Sequence, residues 1–368
     1  MVEMSVTSRV ERVRAKGRLL PGRSVFHWLV IASFLLGLLA ACSPAAPAPT
    51  VAPVVEETPE VPTTPAPVKI PGQAAGRLLF VRGGNLWLWQ GGQASQLTEV
   101  CGCKQPRWSP AGDALLYIKI GDSYGDLIWA DSNGQNARPL TANRAVNVQP
   151  ETKEYIANSF LLSGLSWART ANKIDRIIYS SDRGGSALDL FVTNGLSSKP
   201  VAIAGTKDLG GGNEGAALSP DGNTVAFVHD LTDEKTGRRA TQIFLLDLAT
   251  GRYRVLTSEA NGAYDPTWSP DGQWLTYATR QATGKETNLW LIRPDGTGRQ
   301  RLTEGGKDRG AAWSPDGDQL AFVRQLDNGF ALYFADISVV NGIPTAGKPI
   351  QIGDFSDVDP ASGVSWAR

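Results

Sequence analysis

The chain has 368 residues, room for one large all-β domain or two ordinary ones. Its 40 Gly and 23 Pro suit many short strands joined by turns better than a helical protein. Lys+Arg 36 balance Asp+Glu 36, yet residues 42–368 alone hold 30 basic and 34 acidic residues, formally −4, which argues against a nucleic-acid partner.

In chain order, the first element is an address. Residues 1–25 are polar, with Arg9, Arg12, Arg14, Lys16, Arg18 and Arg23 against Glu3 and Glu11. From Phe26 to Ala41 the chain is nearly all apolar. That run is about 16 residues, short of the roughly 20 that span a bilayer. A basic segment, a short apolar core and a small-residue exit read as a secretory signal over residues 1–41. Residues 42–75 follow as a Pro/Ala/Thr-rich tether, beginning Ser43-Pro44-Ala45-Ala46-Pro47 after Cys42. At about 3.1 Å per residue, an extended Pro-rich tether reaches on the order of 90 Å.

From residue 76 the chain repeats itself. Trp108-Ser109-Pro110, Leu218-Ser219-Pro220-Asp221-Gly222, Trp268-Ser269-Pro270-Asp271-Gly272 and Trp313-Ser314-Pro315-Asp316-Gly317 each precede a short apolar strand. Trp167-Ala168-Arg169 and Trp366-Ala367-Arg368 are degenerate copies, and successive copies lie 59, 51, 50, 45 and 53 residues apart. Pro presets φ, Asp caps the turn and Gly accepts positive φ, so each copy marks a tight turn between strands A and B. Strands C follow, such as Asn288-Leu289-Trp290-Leu291-Ile292, and strands D end in Leu-Thr at Leu97-Thr98, Leu140-Thr141, Leu256-Thr257 and Leu302-Thr303.

Units of about 45–50 residues with four strands each indicate propeller blades. Residues 76–98 supply strands B, C and D with no A before them, and Val364-Ser365-Trp366-Ala367 supplies an A with nothing after it. The expected fold over residues 76–368 is therefore an all-β, six-bladed β-propeller of four-stranded blades, closed by one C-terminal and three N-terminal strands.

The Trp-Ser-Pro-Asp-Gly repeats and Leu-Thr endings resemble those of TolB-type propellers over residues 76–368. The resemblance implies a periplasmic, protein-binding propeller. The separate N-terminal α/β domain of that family is not expected here, where a leader and a tether precede the repeats. Leu39-Ala40-Ala41-Cys42 resembles the lipobox of bacterial lipoproteins. That likeness implies lipidation of Cys42 and an exported protein, anchored to the cell membrane or outer membrane and facing the periplasm or exterior.

The inventory leaves little for catalysis. His27 lies in the leader, so His229, expected in a surface loop after strand B, is the one histidine left in residues 42–368. The single Gly-x-Ser-x-Gly match, Gly121-Asp122-Ser123-Tyr124-Gly125, follows the apolar strand Leu115-Leu116-Tyr117-Ile118 of a blade and does not lead into a helix as a nucleophile elbow does, which disfavours a Ser-His-Asp triad, and one histidine cannot build a multi-histidine metal site. Neither a metal nor a cofactor is expected. Paired carboxylates remain open, so the alternative is an extracytoplasmic hydrolase or lyase acting on a polymer with carboxylates in the propeller channel. Cys101-Gly102-Cys103 suits a local disulfide in an exported protein. The Trp residues and turn Asp residues are assigned to architecture.

Residues entering strand A should ring the mouth of the central channel. Lys104, Glu214 and Arg309 lie four positions before the Trp or its equivalent, and Asp265 three before. These four are the candidate binding residues. The segments 142–163, 204–214 and 229–241 are expected on the same face, where loops over a rigid scaffold carry function. The preferred reading is a non-enzymatic protein-binding or scaffolding module, whose partner is an envelope protein or extracellular polymer.

Overall fold

The structure, a computed structural model, describes residues 74–183, 187–209, 212–232, 237, 239–281, 284 and 286–368. The expected leader, Cys42 and almost all of the tether lie outside these residues.

Six antiparallel blades of four strands follow one another, the sixth carrying an added fifth strand. Blade 1 is built from Ser365–Ala367, Arg77–Arg82, Asn85–Gln90 and Gln93–Gln96, in that spatial order. The closing strand pairs Trp366 with Leu78 and Ser365 with Leu79. The ring is thus fastened by one C-terminal and three N-terminal strands, as the unmatched ends require. The innermost strands of blades 2 to 6 are Cys103–Trp108, Leu162–Arg169, Glu214–Leu218, Ala263–Trp268 and Asp308–Trp313.

The repeat explains itself in hydrogen bonds. Ser219 Oγ accepts from Thr224 N at 2.9 Å and Ser314 Oγ from Gln319 N at 2.9 Å, so the serine satisfies the first donor of strand B. Asp221 and Asp271 accept from Asn223 N and Gln273 N, both at 3.0 Å. Those carboxylates are consumed by the turns. The Leu-Thr ending has an equally local cause. Thr98, Thr141, Thr257 and Thr303 Oγ1 each accept a strand C amide, at 2.9, 2.9, 2.9 and 3.0 Å. A hydroxyl replaces the carbonyl where strand D leaves the sheet.

The core is divided among the joints between blades. Each of six apolar clusters is shared by two neighbours; Leu79, Val81, Trp108, Leu115 and Tyr117, for example, join blades 1 and 2. Trp108, Trp313 and Trp366 are buried in such joints. One bulky side chain per inner strand therefore fills a wedge between sheets.

Three expectations change. His229 is not a loop residue: it lies inside strand Thr224–Thr232, buried, edge-on to the Phe244 ring. Segment 229–241 is mostly the end of a hairpin, because His229 to Thr232 continue to pair with Gln242 to Arg239. Alternating chain polarity hid the extension, since its outer residues are charged. In blade 6, strand C runs twelve residues, Gly329–Val340, and its far end pairs with Ile343–Ala346. The face of compact A–B turns thus carries one long hairpin that the repeat spacing does not reveal.

Candidate functional site

All six inner strands make the same detour. Gln105, Gly164, Gly215, Asp265, Gly310 and Gly363 have φ of 48°, 64°, 63°, 52°, 60° and 63°. In blades 2 to 6 the pairing register with strand B shifts at this position, a β-bulge. Glycine is required where the blades converge: a Cβ on Gly164 would lie 2.8 Å from Gly215 N. Gln105 and Asp265 accept the left-handed backbone and use their side chains to reach the next blade. Gln105 Oε1 accepts from Gly164 N at 2.6 Å, and Asp265 Oδ2 from Gly310 N at 3.2 Å.

The bulges aim the preceding residues at the channel mouth. Asp265 holds Arg309 through both carboxylate oxygens, at 3.0 and 3.2 Å. Asp265 thereby raises the Arg309 pKa, against burial. Lys104 Nζ meets Asp359 Oδ2 at 2.6 Å. Burial of Asp359 opposes its ionisation, but bonds from Lys104, Ser362 and Ala361 outweigh it and lower its pKa. Asp359 is a mouth residue that the repeats do not show. It lies in the loop before the closing strand, and its only sequence signal is a capping pattern with Ser362, whose hydroxyl donates to it at 2.7 Å.

Glu214 is different. Among the described residues it has no hydrogen-bond or ion-pair partner, and burial, then Asp230 and Asp265, raise its pKa. Of the four sequence-selected residues, Asp265 and Arg309 are bonded to each other, Lys104 is paired elsewhere on the rim, and Glu214 is the surplus carboxylate. A raised folded pKa favours the neutral acid: that stability is complete below the unfolded pKa and is lost as pH rises through the folded value. Glu214→Gln is therefore expected to leave the melting temperature unchanged near pH 3, below the ordinary glutamate value of about 4.3. At pH 7, roughly two pH units or more above that value, the variant should melt higher than wild type. An equal or lower melting temperature at pH 7 contradicts the reading.

Cys101 and Cys103 form a disulfide with Cα atoms 5.0 Å apart, just before the inner strand of blade 2. Cys103 is fully buried in the joint with blade 1, so the clip anchors the entry to that strand. Among the described residues, no three His, Cys, Asp or Glu side chains are grouped to hold a metal ion. Asp265, the one carboxylate side chain lining the channel cavity, is committed to Arg309 and Gly310, which leaves it poorly placed to act as a nucleophile or base.

The segments near the mouth are structured. Segment 142–163 contains a helix, Lys153–Asn158, capped by Thr152 and seated on buried Tyr155, while Ile156 stays 56% exposed. Ala204–Leu209 is a 3-10 turn.

Comparison with known proteins gives the fold a relation. The TolB beta propeller domain family matches residues 166–315 and 217–341. The crystal structure of TolB from Acinetobacter baumannii superposes with a TM-score of 0.59 at 16% identity, covering 79% of this chain and 66% of that one. The protein TolB homolog of Chlorobium chlorochromatii is 34% identical over 183 residues, 46% of this chain and 38% of that protein. Dipeptidyl-peptidase 5 of Porphyromonas endodontalis is 30% identical over 113 residues, 30% of this chain and 16% of that protein. The matches thus span well under half the length of either curated relative.

Proposed function

We propose that this chain is an exported protein-binding or scaffolding module of the cell envelope, held to a membrane through lipidated Cys42; its six-bladed β-propeller, matched by the TolB beta propeller domain family over residues 166–341, supports the reading. Residues 1–41 serve as the signal and 42–75 as the spacer in this reading. The partner engages the face that carries the channel mouth and the segment around Ile156.

One observation carries the proposal. The mouth holds two internally balanced pairs, Lys104 with Asp359 and Arg309 with Asp265, and one unpaired carboxylate, Glu214. Paired rim charges fix register more than they add affinity, while a surplus carboxylate favours a basic partner side chain. The partner class that fits is an envelope protein presenting Lys or Arg to the mouth. Support for the anchor is the sequence alone: an apolar core followed directly by Leu39-Ala40-Ala41-Cys42.

Fractionation of producing cells tests both parts. Wild type is expected in the membrane fraction, and Cys42→Ala in the soluble exported fraction or retained as unprocessed precursor. Chemical cross-linking in native envelopes should give a discrete adduct that the combined Lys104→Ala, Glu214→Ala and Arg309→Ala variant loses. An adduct that survives those substitutions removes the mouth from the interface.

A further inference from the structure

The channel beneath the mouth has its own chemistry. A cavity of about 690 Å³ runs from the bulge ring to the Ser-Pro turns, and its lining includes none of Lys104, Glu214 or Arg309. At its waist stand the six residues that directly precede the Trp or its equivalent: Arg107, Ser166, Ala217, Thr267, Ala312 and Ser365. They share one register, each opposite the equivalent residue of its own strand B. Five are small or hydroxylic and one is a cation.

Arg107 is held but not neutralised. Its Nη1 donates to Pro106 O at 2.8 Å and to Ser362 O at 3.5 Å, both neutral carbonyls. Among the described residues Nε and Nη2 have no protein acceptor, and no carboxylate lies within ion-pair distance. Burial pushes its pKa down to about 10, against the pull of Asp265, which is already bonded to Arg309. Arg169, also on the lining, is spoken for by Asp175 at 2.8 Å. Arg107 is half-buried on the cavity lining, and a partly desolvated cation without a counter-ion is costly to keep.

The neighbours are donors. Ser365 Oγ accepts from Trp108 N at 3.0 Å and Ser166 Oγ from Leu218 N at 2.9 Å, so each hydroxyl proton is free to turn into the lumen. Ser365 and Ser166 belong to the two blades that flank Arg107, and Thr267 faces it from the blade opposite.

We propose that this waist is a binding site for a single carboxylate, taken from the Ser-Pro turn side onto the Arg107 guanidinium and the neighbouring Ser365 hydroxyl. A planar fork with two free donor edges matches a carboxylate in bidentate geometry. One guanidinium at the waist matches a monoanion; Arg368, the other lining cation outside an ion pair among the described residues, lies at the turn end of the cavity, two residues past Trp366. The site is separate from the outer mouth, so it stands or falls independently of the partner proposed there.

The test uses the full chain, with the indole signals of the lumen tryptophans Trp108 and Trp167 as NMR reporters. N-acetyl-dialanine, its C-terminal amide and propionate are titrated. The free acid is expected to shift the indole signals saturably and the amide at least about 10-fold more weakly, the loss typical of a hydrogen bond to a charged group. Propionate matching the free acid means the carboxylate alone is read; weaker propionate means the peptide chain contributes, and both keep the site. Arg107→Met should lose the acid's preference over the amide yet melt no lower than wild type, because it removes an unpaired, half-buried charge at similar volume. Arg107→Lys, which keeps charge without the fork, should bind the acid between the two. The proposal is overturned if acid and amide titrate alike, if neither shifts the signals, or if Arg107→Met binds as wild type. It is overturned equally if Arg107→Met is destabilised as a core variant is, since Arg107 then serves the fold.

Discussion

Replacing Trp366 by alanine is expected to cost about 3–5 kcal/mol of folding stability, the range for removing a large buried aromatic. Trp366 sits on the three-residue strand Ser365–Ala367 and is buried in the joint between blades 6 and 1 with Leu78, Phe80, Ala312 and Phe334. Its indole nitrogen also donates to Ala75 O, which ties the start of the propeller to its end. Domains are stable by about 5–15 kcal/mol in all. Loss of this one side chain should therefore lower the denaturation midpoint sharply and open the ring at its seam. Urea denaturation followed by tryptophan fluorescence reads the effect. A shift below about 1 kcal/mol, ordinary for a surface substitution, would mean that closure does not depend on this strand.

A comparable loss is expected for Asp308→Ala. Asp308 is fully buried at the start of the inner strand of blade 6, and both oxygens bind Arg324, at 2.6 and 2.8 Å. That hydrogen bond comes first among the causes that raise the Arg324 pKa, with burial opposing it. Removing one partner leaves the other charge buried and unpaired, which costs about 3–5 kcal/mol. Replacing both, Asp308→Leu with Arg324→Met, should recover much of that loss, since an apolar pair of similar volume has no charge to desolvate. Thermal melts of the single and double variants decide it; a double variant no more stable than Asp308→Ala contradicts the argument.

The sequence shows the ring because its turns are local chemistry. Ser, Pro, Asp and Gly specify the A–B turns of blades 2, 4, 5 and 6 from within five residues, and the Leu-Thr endings mark the last strands in the same way. Six copies and two unmatched ends then leave one closure. The mouth was legible only by position. Counting back from Trp finds Lys104, Glu214, Asp265 and Arg309, yet it cannot tell that Asp265 turns to the next blade while Glu214 stays free. That difference arises because Asp265 takes φ of 52° at the bulge where most copies have glycine. Asp359 escaped because its partner Lys104 is 255 residues away and its loop has no repeat copy. Arg107 escaped for the opposite reason. It sits in plain register with five small or hydroxylic residues, and aligning the position before each Trp would have exposed it. His229 was misplaced because strand pairing continues past the apolar run that defines strand B.

In the proposed function the partner binds at the channel mouth. Tyr264, four positions before Trp268 and 36% exposed, stands on that rim. Asp295 is exposed in the C–D turn of the same blade, on the opposite face. A photo-reactive amino acid placed at each position in turn, in cells that make the full chain, compares the two faces with the fold otherwise unchanged. A discrete protein adduct from position 264 and none from position 295 is the predicted result. Equal adducts from both positions, or an adduct from 295 alone, contradict it.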